Sequence, residues 1–359
     1  MINNYSTFSQ KNHLLSYFDL ICLIYQIYKE SVFTKNGESM TLKILVIGDP
    51  IDELKPEKET TLALIAEATA RNHRVDYCTA TELCQKTTGV FGNVRQMKLT
   101  GNVDDYFDLG DEYIQDLSTY SLIIMRSNPN GYKRMNTSYL LDPLADKVLI
   151  VNDPRGMREM HGKFFITNFP EYITPFSIVE HHTHFKDFLN EHDDVIIKPV
   201  NGFGGDGIFR LNEKPADPKA KFDEIYQSFG QEPFIMQRYI PEAEKGDKRI
   251  IMFDGEPVCS LLRVPKDTNS LANISQGANI EKCDLTEHEK KLCAKIAPIL
   301  QDYGLFFVGI DMLGDYITEI NLISVGTVVP ANNLYGIQLE KLFWNKLEEK
   351  YRDFKNNVA

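Results

Sequence analysis

The chain lacks the marks of several protein classes. Its six cysteines (Cys22, Cys78, Cys84, Cys259, Cys283 and Cys293) form no CxxC pair and no zinc-type spacing. No signal peptide with a small-residue cleavage site precedes them, so a reduced cytoplasmic compartment is expected. Basic residues are in deficit, 39 against 51 acidic ones, for a net charge of -12. That balance opposes phosphodiester backbones and argues against a nucleic-acid partner. No apolar run reaches the roughly 20 residues a membrane span requires. The nearest candidate, Leu14 to Tyr28, contains Asp19; it reads as a packed or frayed amphipathic helix, with a membrane-surface segment as the alternative. Internal repeats and low-complexity tracts are also missing.

What is present is a long chain of 359 residues, too long for one ordinary core, so two or three domains sharing a cleft are expected. Met40 sits just before the first strong strand, and residues 1–39 read as an extension of uncertain status. From 40 to 153 the pattern is α/β. Short apolar runs at Ile44–Ile47, Arg74–Cys78, Leu122–Met125 and Val148–Val151 alternate with helical periodicity at Thr61–Ala70 and Ser138–Asp146, which predicts an open, mostly parallel sheet. From 154 to 240 the pattern becomes a small α+β unit, with helices at Met160–Asn168, Phe185–His192 and Lys221–Phe229 and strands at Val195–Lys198, Ile208–Leu211 and Phe234–Gln237. From 241 to 359, a hairpin turned at Asp254-Gly255 joins Arg249–Phe253 to Pro257–Val264. A helix follows over Glu287–Tyr303, then strands Phe306–Met312 and Tyr316–Ile320 meeting at Gly314-Asp315, and a closing helix over Leu339–Phe354.

The segment Lys198-Pro-Val-Asn-Gly-Phe-Gly-Gly-Asp-Gly207 fits G-x-G-x-x-G, a weak signal by itself. In a dinucleotide fingerprint such glycines open a helix. Here they run into the β-like Ile208-Phe-Arg-Leu211, which predicts a strand–glycine loop–strand lid whose N–H groups, Gly204 and Gly205 among them, close over phosphates. Lys198 ends an apolar strand. A buried lysine is costly without an anion, so it points to a phosphate, or else to a neighbouring carboxylate. Lys163, on the preceding helix, is a second candidate cation.

Asp311 lies in Val308-Gly-Ile-Asp-Met312, and Glu319 and Asn321 lie two apart on one face of the next strand. The turn at Gly314-Asp315 would bring Asp311 opposite them. Three convergent oxygen donors suit a hard divalent cation such as magnesium. His181-His-Thr-His184 reads instead as a solvated helix start, because its spacing does not guarantee a metal geometry. Arg249, beside Asp247, reads as a substrate-carboxylate clamp or, alternatively, a strand-edge salt bridge. No side chain stands out as the base for an incoming amine.

The order of Lys163, Val195-Ile-Ile-Lys198-Pro with its glycines, Met236-Gln-Arg-Tyr-Ile-Pro241, Gly246-Asp-Lys-Arg249, Asp254-Gly-Glu-Pro257, Arg263-Val-Pro265, Gly309-Ile-Asp311 and Thr318-Glu-Ile-Asn321 resembles bacterial glutathione synthetase, an ATP-grasp ligase family. The likeness runs from about Met40 to Ser324. It implies an ATP-grasp architecture and the joining of γ-glutamylcysteine to glycine through an acyl phosphate, with release of ADP and phosphate. By the same resemblance, Lys163 and Lys198 hold ATP phosphates, and Gln237, Arg238, Tyr239 and Ile240 edge the adenine. Asp311, Glu319 and Asn321 bind two magnesium ions, with manganese as an alternative. Arg263 faces the transferring phosphoryl group, and Arg126, Arg249, Asn273, Ser324 and Gly326 face the substrates. A homo-oligomer is implied as well.

The chain departs from that pattern where substrates would sit. Met125-Arg-Ser-Asn-Pro-Asn130 keeps Arg126 and Pro129 but not the family's lysine and aspartate. Lys266 to Ile280 keeps Asn273 and Gly277 but has no arginine, and Ser324-Val-Gly-Thr327 replaces serine-proline-threonine. Donor and acceptor therefore stay open. The alternatives are an ATP-grasp carboxylate–amine ligase with another donor or acceptor, and a catalytically silent nucleotide-binding homologue.

Overall fold

A computed structural model describes residues 40–55, 58–100, 106–127, 131–201, 205–265 and 278–358. The expectation for Leu14–Tyr28 lies outside them. The first unit begins with β1 (Lys43–Gly48), α1 (Thr60–Ala70) and β2 (Arg74–Thr79). Next come β3 (Leu83–Lys86), β4 (Gly89–Leu99), β5 (Phe107–Asp116), β6 (Leu122–Met125), α2 (Gly131–Leu141) and β7 (Leu149–Val151). The strands form one sheet in the order β3-β4-β2-β1-β6-β7, with β5 paired to β4. The strands β2, β1, β6 and β7 run parallel, as expected. The ribbon of β3, β4 and β5 is antiparallel and was not anticipated. The helix expected at Ser138–Asp146 instead begins at Gly131 and stops at Leu141, and Asp142–Leu144 is a 3-10 turn. Pro143 explains the stop, since a proline inside the helix would remove a backbone hydrogen bond.

Because β1 sends its chain to β2 on one side and pairs with β6 on the other, the strand order reverses between β1 and β6. A crevice at the carboxyl ends of such strands is where open α/β sheets take ligands. Here it is bordered by Gly48-Asp49 and by Arg126-Ser127.

The second unit holds α3 (Pro154–Glu159), α4 (Gly162–Phe165), β8 (Phe176–Val179), α5 (His182–Glu191), β9 (Val195–Pro199), β10 (Phe209–Leu211), α6 (Pro218–Ser228) and β11 (Phe234–Arg238). Its antiparallel sheet is ordered β10-β9-β11-β8. The helix expected over Met160–Asn168 is one α-turn followed by a 3-10 turn at Ile166–Asn168. This unit has its own core around Phe185, Phe222, Phe234, Ile197 and Met236.

The third unit comprises β12 (Asp247–Phe253), β13 (Glu256–Val264), β14 (Asn279–Lys282), α7 (Glu287–Asp302), β15 (Phe307–Leu313), β16 (Tyr316–Asn321), α8 (Val328–Tyr335) and α9 (Leu339–Val358). Its sheet is antiparallel in the order β14-β13-β12-β15-β16. Asp254 and Gly255 take the positive φ values, 51° and 82°, that a tight hairpin turn demands. The first and third units share apolar cores. Phe253, Phe306, Phe343 and Trp344 pack with Ile44 and Leu62, and the buried Trp344 indole satisfies its N–H on the Leu64 carbonyl at 2.8 Å. Among the described residues no helix is long and apolar enough to cross a membrane.

Candidate active site

Lys198 sits near the end of β9 and is only 6% exposed. Its Nζ donates to Gln237 Oε1 at 3.0 Å and to the Thr318 carbonyl at 3.3 Å. Both contacts are neutral oxygens, so the alternative of a carboxylate partner in direct contact is not what forms. Burial, with the like charge of Lys163, pushes the ammonium down to about 8 against the pull of Glu319. Lys163 arrives from α4. A Cβ at Gly162 would collide with the Ile320 carbonyl, so the missing side chain lets α4 press onto β16. Lys163 Nζ donates to the Pro199 carbonyl at 2.8 Å, and burial lowers its pKa while Glu319 raises it. The same sharing holds Glu319 up: burial outweighs the two lysines, and Asp311 adds to the rise. Gln237 completes the group. Its oxygen is taken by Lys198, and its amide nitrogen is buried with no hydrogen-bond partner.

The acidic strands meet through a bulge. Asp311 pairs with Glu319, and a register shift between Asp311 and Met312 leaves Thr318 as the extra residue. Without that shift Asp311 would face Thr318. Asn321 Nδ2 donates to Asp311 Oδ2 at 3.0 Å, and Glu319 stands in register with Asp311, so the three residues share one face of the paired strands. On its other side Asp311 pairs with Arg249, whose Nη2 reaches Oδ2 at 2.8 Å and whose Nε contacts Oδ1. Arg263 Nη2 lies 3.1 Å from the same Oδ2, and Arg263 also grips Asp247, with Nε to Oδ1 at 2.7 Å. Burial alone would raise Asp311, but the two guanidiniums win and hold it below the usual carboxylate range.

The glycine segment behaves as a hairpin. β9 and β10 pair antiparallel on either side of it, and Gly205 and Gly207 have φ of 84° and 71°; a dinucleotide fingerprint would have opened a helix there. Gly204 lies outside the described residues, as does Asn273 with residues 266–277. At the end of β11, the N–H groups of Arg238 and Tyr239 are committed to the Pro175 and Asp194 carbonyls, both at 2.9 Å. His181 caps α5 by accepting from the Thr183 N–H at 3.3 Å, as a helix start would.

Sequence comparison assigns both halves of this arrangement. The prokaryotic glutathione synthetase N-terminal domain matches residues 42–158, and the prokaryotic glutathione synthetase ATP-grasp domain matches residues 162–336. The chain belongs to the prokaryotic glutathione synthetase family. The glutathione synthetase of Mesorhizobium japonicum is 36% identical over 312 residues, covering 87% of this chain and 99% of that protein. That of Brucella melitensis is 36% identical over 315 residues, covering 87% and 100%. Among solved structures, D-cycloserine synthetase DcsG superposes with a TM-score of 0.59 at 13% identity, covering 86% of this chain and 99% of that one. The ATP-grasp ligase PsnB complexed with minimal precursor gives 0.56 at 15%, covering 86% and 100%. These two likenesses show the fold, which is ATP-grasp. As a glutathione synthetase family member, the chain is an ATP-dependent ligase forming C–N bonds, and the family works on ATP with a divalent metal.

The residues present fit such a cation. Two carboxylates and an amide are hard oxygen donors, and the Glu319 carboxylate makes no hydrogen bond to any described residue although burial disfavours its charge. Three or more His, Cys, Asp or Glu gather as a metal cluster nowhere among the described residues.

The substrate-side candidates fall differently. Arg126, expected to face a substrate, is 3% exposed. Ser324 and Gly326 lie in the loop from β16 to α8, and a Cβ at Gly326 would meet open space. One contact went unread: Asp247 holds Arg263. Ser127, at the position where the family pattern has a lysine, has a buried hydroxyl with no hydrogen-bond partner.

Proposed function

We propose that this glutathione synthetase family member joins γ-glutamylcysteine to glycine at the expense of ATP. The donor carboxylate attacks the γ-phosphorus and ADP leaves. The amine then attacks the acyl carbon, inorganic phosphate departs, and the amine proton passes to phosphate or solvent. The observation that carries this reading is the pair of buried lysines, Lys163 and Lys198, sharing Glu319 beside the Asp311–Asn321 pair. Such a site keeps positive charge out of water until a polyanion arrives.

Lys163 and Lys198 bind the phosphates, and closure of the β9–β10 hairpin excludes water from the acyl phosphate. The unpaired Gln237 amide and the Ile240 backbone take the adenine edge, since the neighbouring N–H groups are committed. Asp311, Glu319 and Asn321 would hold magnesium, which supplies charge neutralisation at the phosphate oxygens. Arg263, poised between Asp247 and Asp311, neutralises the transferring phosphoryl group, and Arg249 orients Asp311. Donor and acceptor occupy the crevice between β1 and β6 and the loop containing Ser324 and Gly326. The five described cysteines are all free, which suits a reducing cytoplasm, and a homo-oligomer is part of the same reading.

A different acceptor is the second reading, favoured by the open space at Gly326 and the orphaned Ser127 hydroxyl. Phosphate release from ATP with γ-glutamylcysteine and glycine, then with other amines, decides between them. Turnover only with another amine would replace glycine as acceptor, and ATP binding without turnover would mark a silent homologue.

A further inference from the structure

Arg126 is a buried cation without a carboxylate in contact. Its Nη1 donates to the Val325 carbonyl at 3.0 Å and its Nε to Thr61 Oγ1 at 3.2 Å. The guanidinium carbon lies 5.4 Å from the centre of the Phe307 ring. The backbone around it is tied as well. The Arg126 N–H donates to the Ile47 carbonyl at 2.7 Å, and the Arg126 carbonyl accepts from Ser324 Oγ at 2.9 Å. Residue 126 therefore grips the segment 324–327 twice, once through its side chain and once through its main chain. A third tie comes from Thr60, whose Oγ1 accepts from the Val328 N–H at 3.4 Å.

The gripped segment is strained. Ser324 and Thr327 have φ of 48° and 78°, values that non-glycine residues adopt at a cost. Between them Val325 is buried against Gly309, where a Cβ would crowd both Val325 Cγ1 and the Arg249 side chain. The free energy to hold two left-handed residues in a loop must come from outside it, and the buried Arg126 is the group that bridges the loop to β1 and α1. Arg126 is 3% exposed, and two of its five guanidinium N–H donors are committed, one on Nη1 to the loop and the one on Nε to Thr61.

We infer that Arg126 is a positioning residue that holds the 324–327 loop in its left-handed shape and thereby sets the affinity for the amine. It does not bind a substrate carboxylate. This deepens the ligase reading and rests on it for the amine, but the loop restraint itself is readable without turnover.

The test uses the full-length protein, Arg126→Lys, which keeps the charge but cannot span both acceptors, and Ser324→Ala, which removes only the main-chain tie. Native thermal melts of Ser324→Ala keep the test informative if Arg126→Lys folds poorly. Amide exchange of the segment 324–328 should rise at least about tenfold in either folded variant, the range one lost buried hydrogen bond allows, with exchange elsewhere unchanged. With the amine that supports turnover, KM for the amine should rise about tenfold while kcat and KM for ATP hold within about twofold. Unchanged exchange at 324–328 would overturn the proposal, as would a fall in kcat with no change in the amine KM. Failure of wild-type turnover with glycine would instead sink the choice of acceptor, leaving the exchange result to decide the loop.

Discussion

Arg249 on β12 and Asp311 on β15 face each other in register, and the guanidinium of one closes on both carboxylate oxygens of the other, with Nη2 to Oδ2 at 2.8 Å. Asp311 is therefore already compensated before any cation reaches it. Replacing Arg249 by Met leaves Asp311 with Arg263 and Asn321, and removing one partner of a buried pair costs about 3 kcal/mol at the low end of such losses. The sign of the pH effect follows from Asp311. Its folded pKa lies below the ordinary 3.8, so its contribution is full above that value and lost as pH falls through the folded pKa. Arg249→Met raises the folded pKa and should move acid unfolding to higher pH, measurable as Tm between pH 3 and 7. An unshifted acid transition would mean that Arg263 alone sets the Asp311 charge.

Much of this network was legible, and the part that was not has a definite cause. Lys198, Asp311, Glu319 and Asn321 were readable because each places a polar group in an apolar β run. Asp247 was not, because the hairpin turned at Asp254-Gly255 carries a bulge between Ile251 and Met252. Counting back from the turn without it sets Asp247 against Leu262, and only the shift brings Arg263 opposite. The ribbon of β4 and β5 escaped for a related reason: Gly92 and a register shift near Arg95 interrupt the alternation, and β5 has no buried residue to mark a core face. Arg126 was noticed as a residue, but its burial depends on Thr61 and Val325, which are distant in sequence.

Lys198 makes nucleotide binding sensitive to alkaline pH. With its pKa lowered to about 8 from an ordinary 10.5, the free enzyme carries the positive charge at pH 7 and has largely lost it by pH 9. ADP affinity, measured by calorimetry, should fall on raising the pH through that range. Lys198→Met should abolish the pH dependence and weaken ADP binding by an order of magnitude or more, the scale of a lost charge-assisted contact. It should also stabilise the ligand-free protein. A folded pKa below the unfolded one means the charged lysine opposes folding at neutral pH, and that penalty fades as pH rises from 8 toward 10.5. A less stable Lys198→Met protein would contradict the argument.

His73 ties the first strand to the closing helix and adds an acid limb. Its Nδ1 accepts from the Leu42 N–H at 3.3 Å, which leaves the proton on Nε2, facing Glu348 Oε1 at 3.1 Å. Burial lowers the imidazole pKa below the ordinary 6.5, against the opposing pull of Glu348. The stability His73 confers is thus present above about pH 6.5 and lost as pH falls through the folded pKa. His73→Gln should lower Tm at pH 7.5, by about 1–2 kcal/mol of stability for imperfect hydrogen bonds, and flatten the decline below pH 6.5. An equally steep decline in the variant would assign that limb to another group.

Gly162 gives the sharpest separation between folding and binding. Its Cα lies so close to the Ile320 carbonyl that any Cβ must displace β16 or α4, and α4 is one turn carrying Lys163. Gly162→Ala should therefore shift Lys163 from its contact with the Pro199 carbonyl while the cores of the three sheets remain packed. Displacing a binding group by about 1 Å costs on the order of 100-fold in a preorganised site, so ATP affinity should fall by one to two orders of magnitude with a loss of Tm of only a few degrees. Gly336→Ala is the control. It strains a positive φ of 67° but meets no atom within 4 Å, so it should lower Tm without touching ATP affinity. If the two alanines weaken ATP binding equally, the approach of α4 to β16 does not position Lys163, and the lysine reaches the phosphates by its own flexibility.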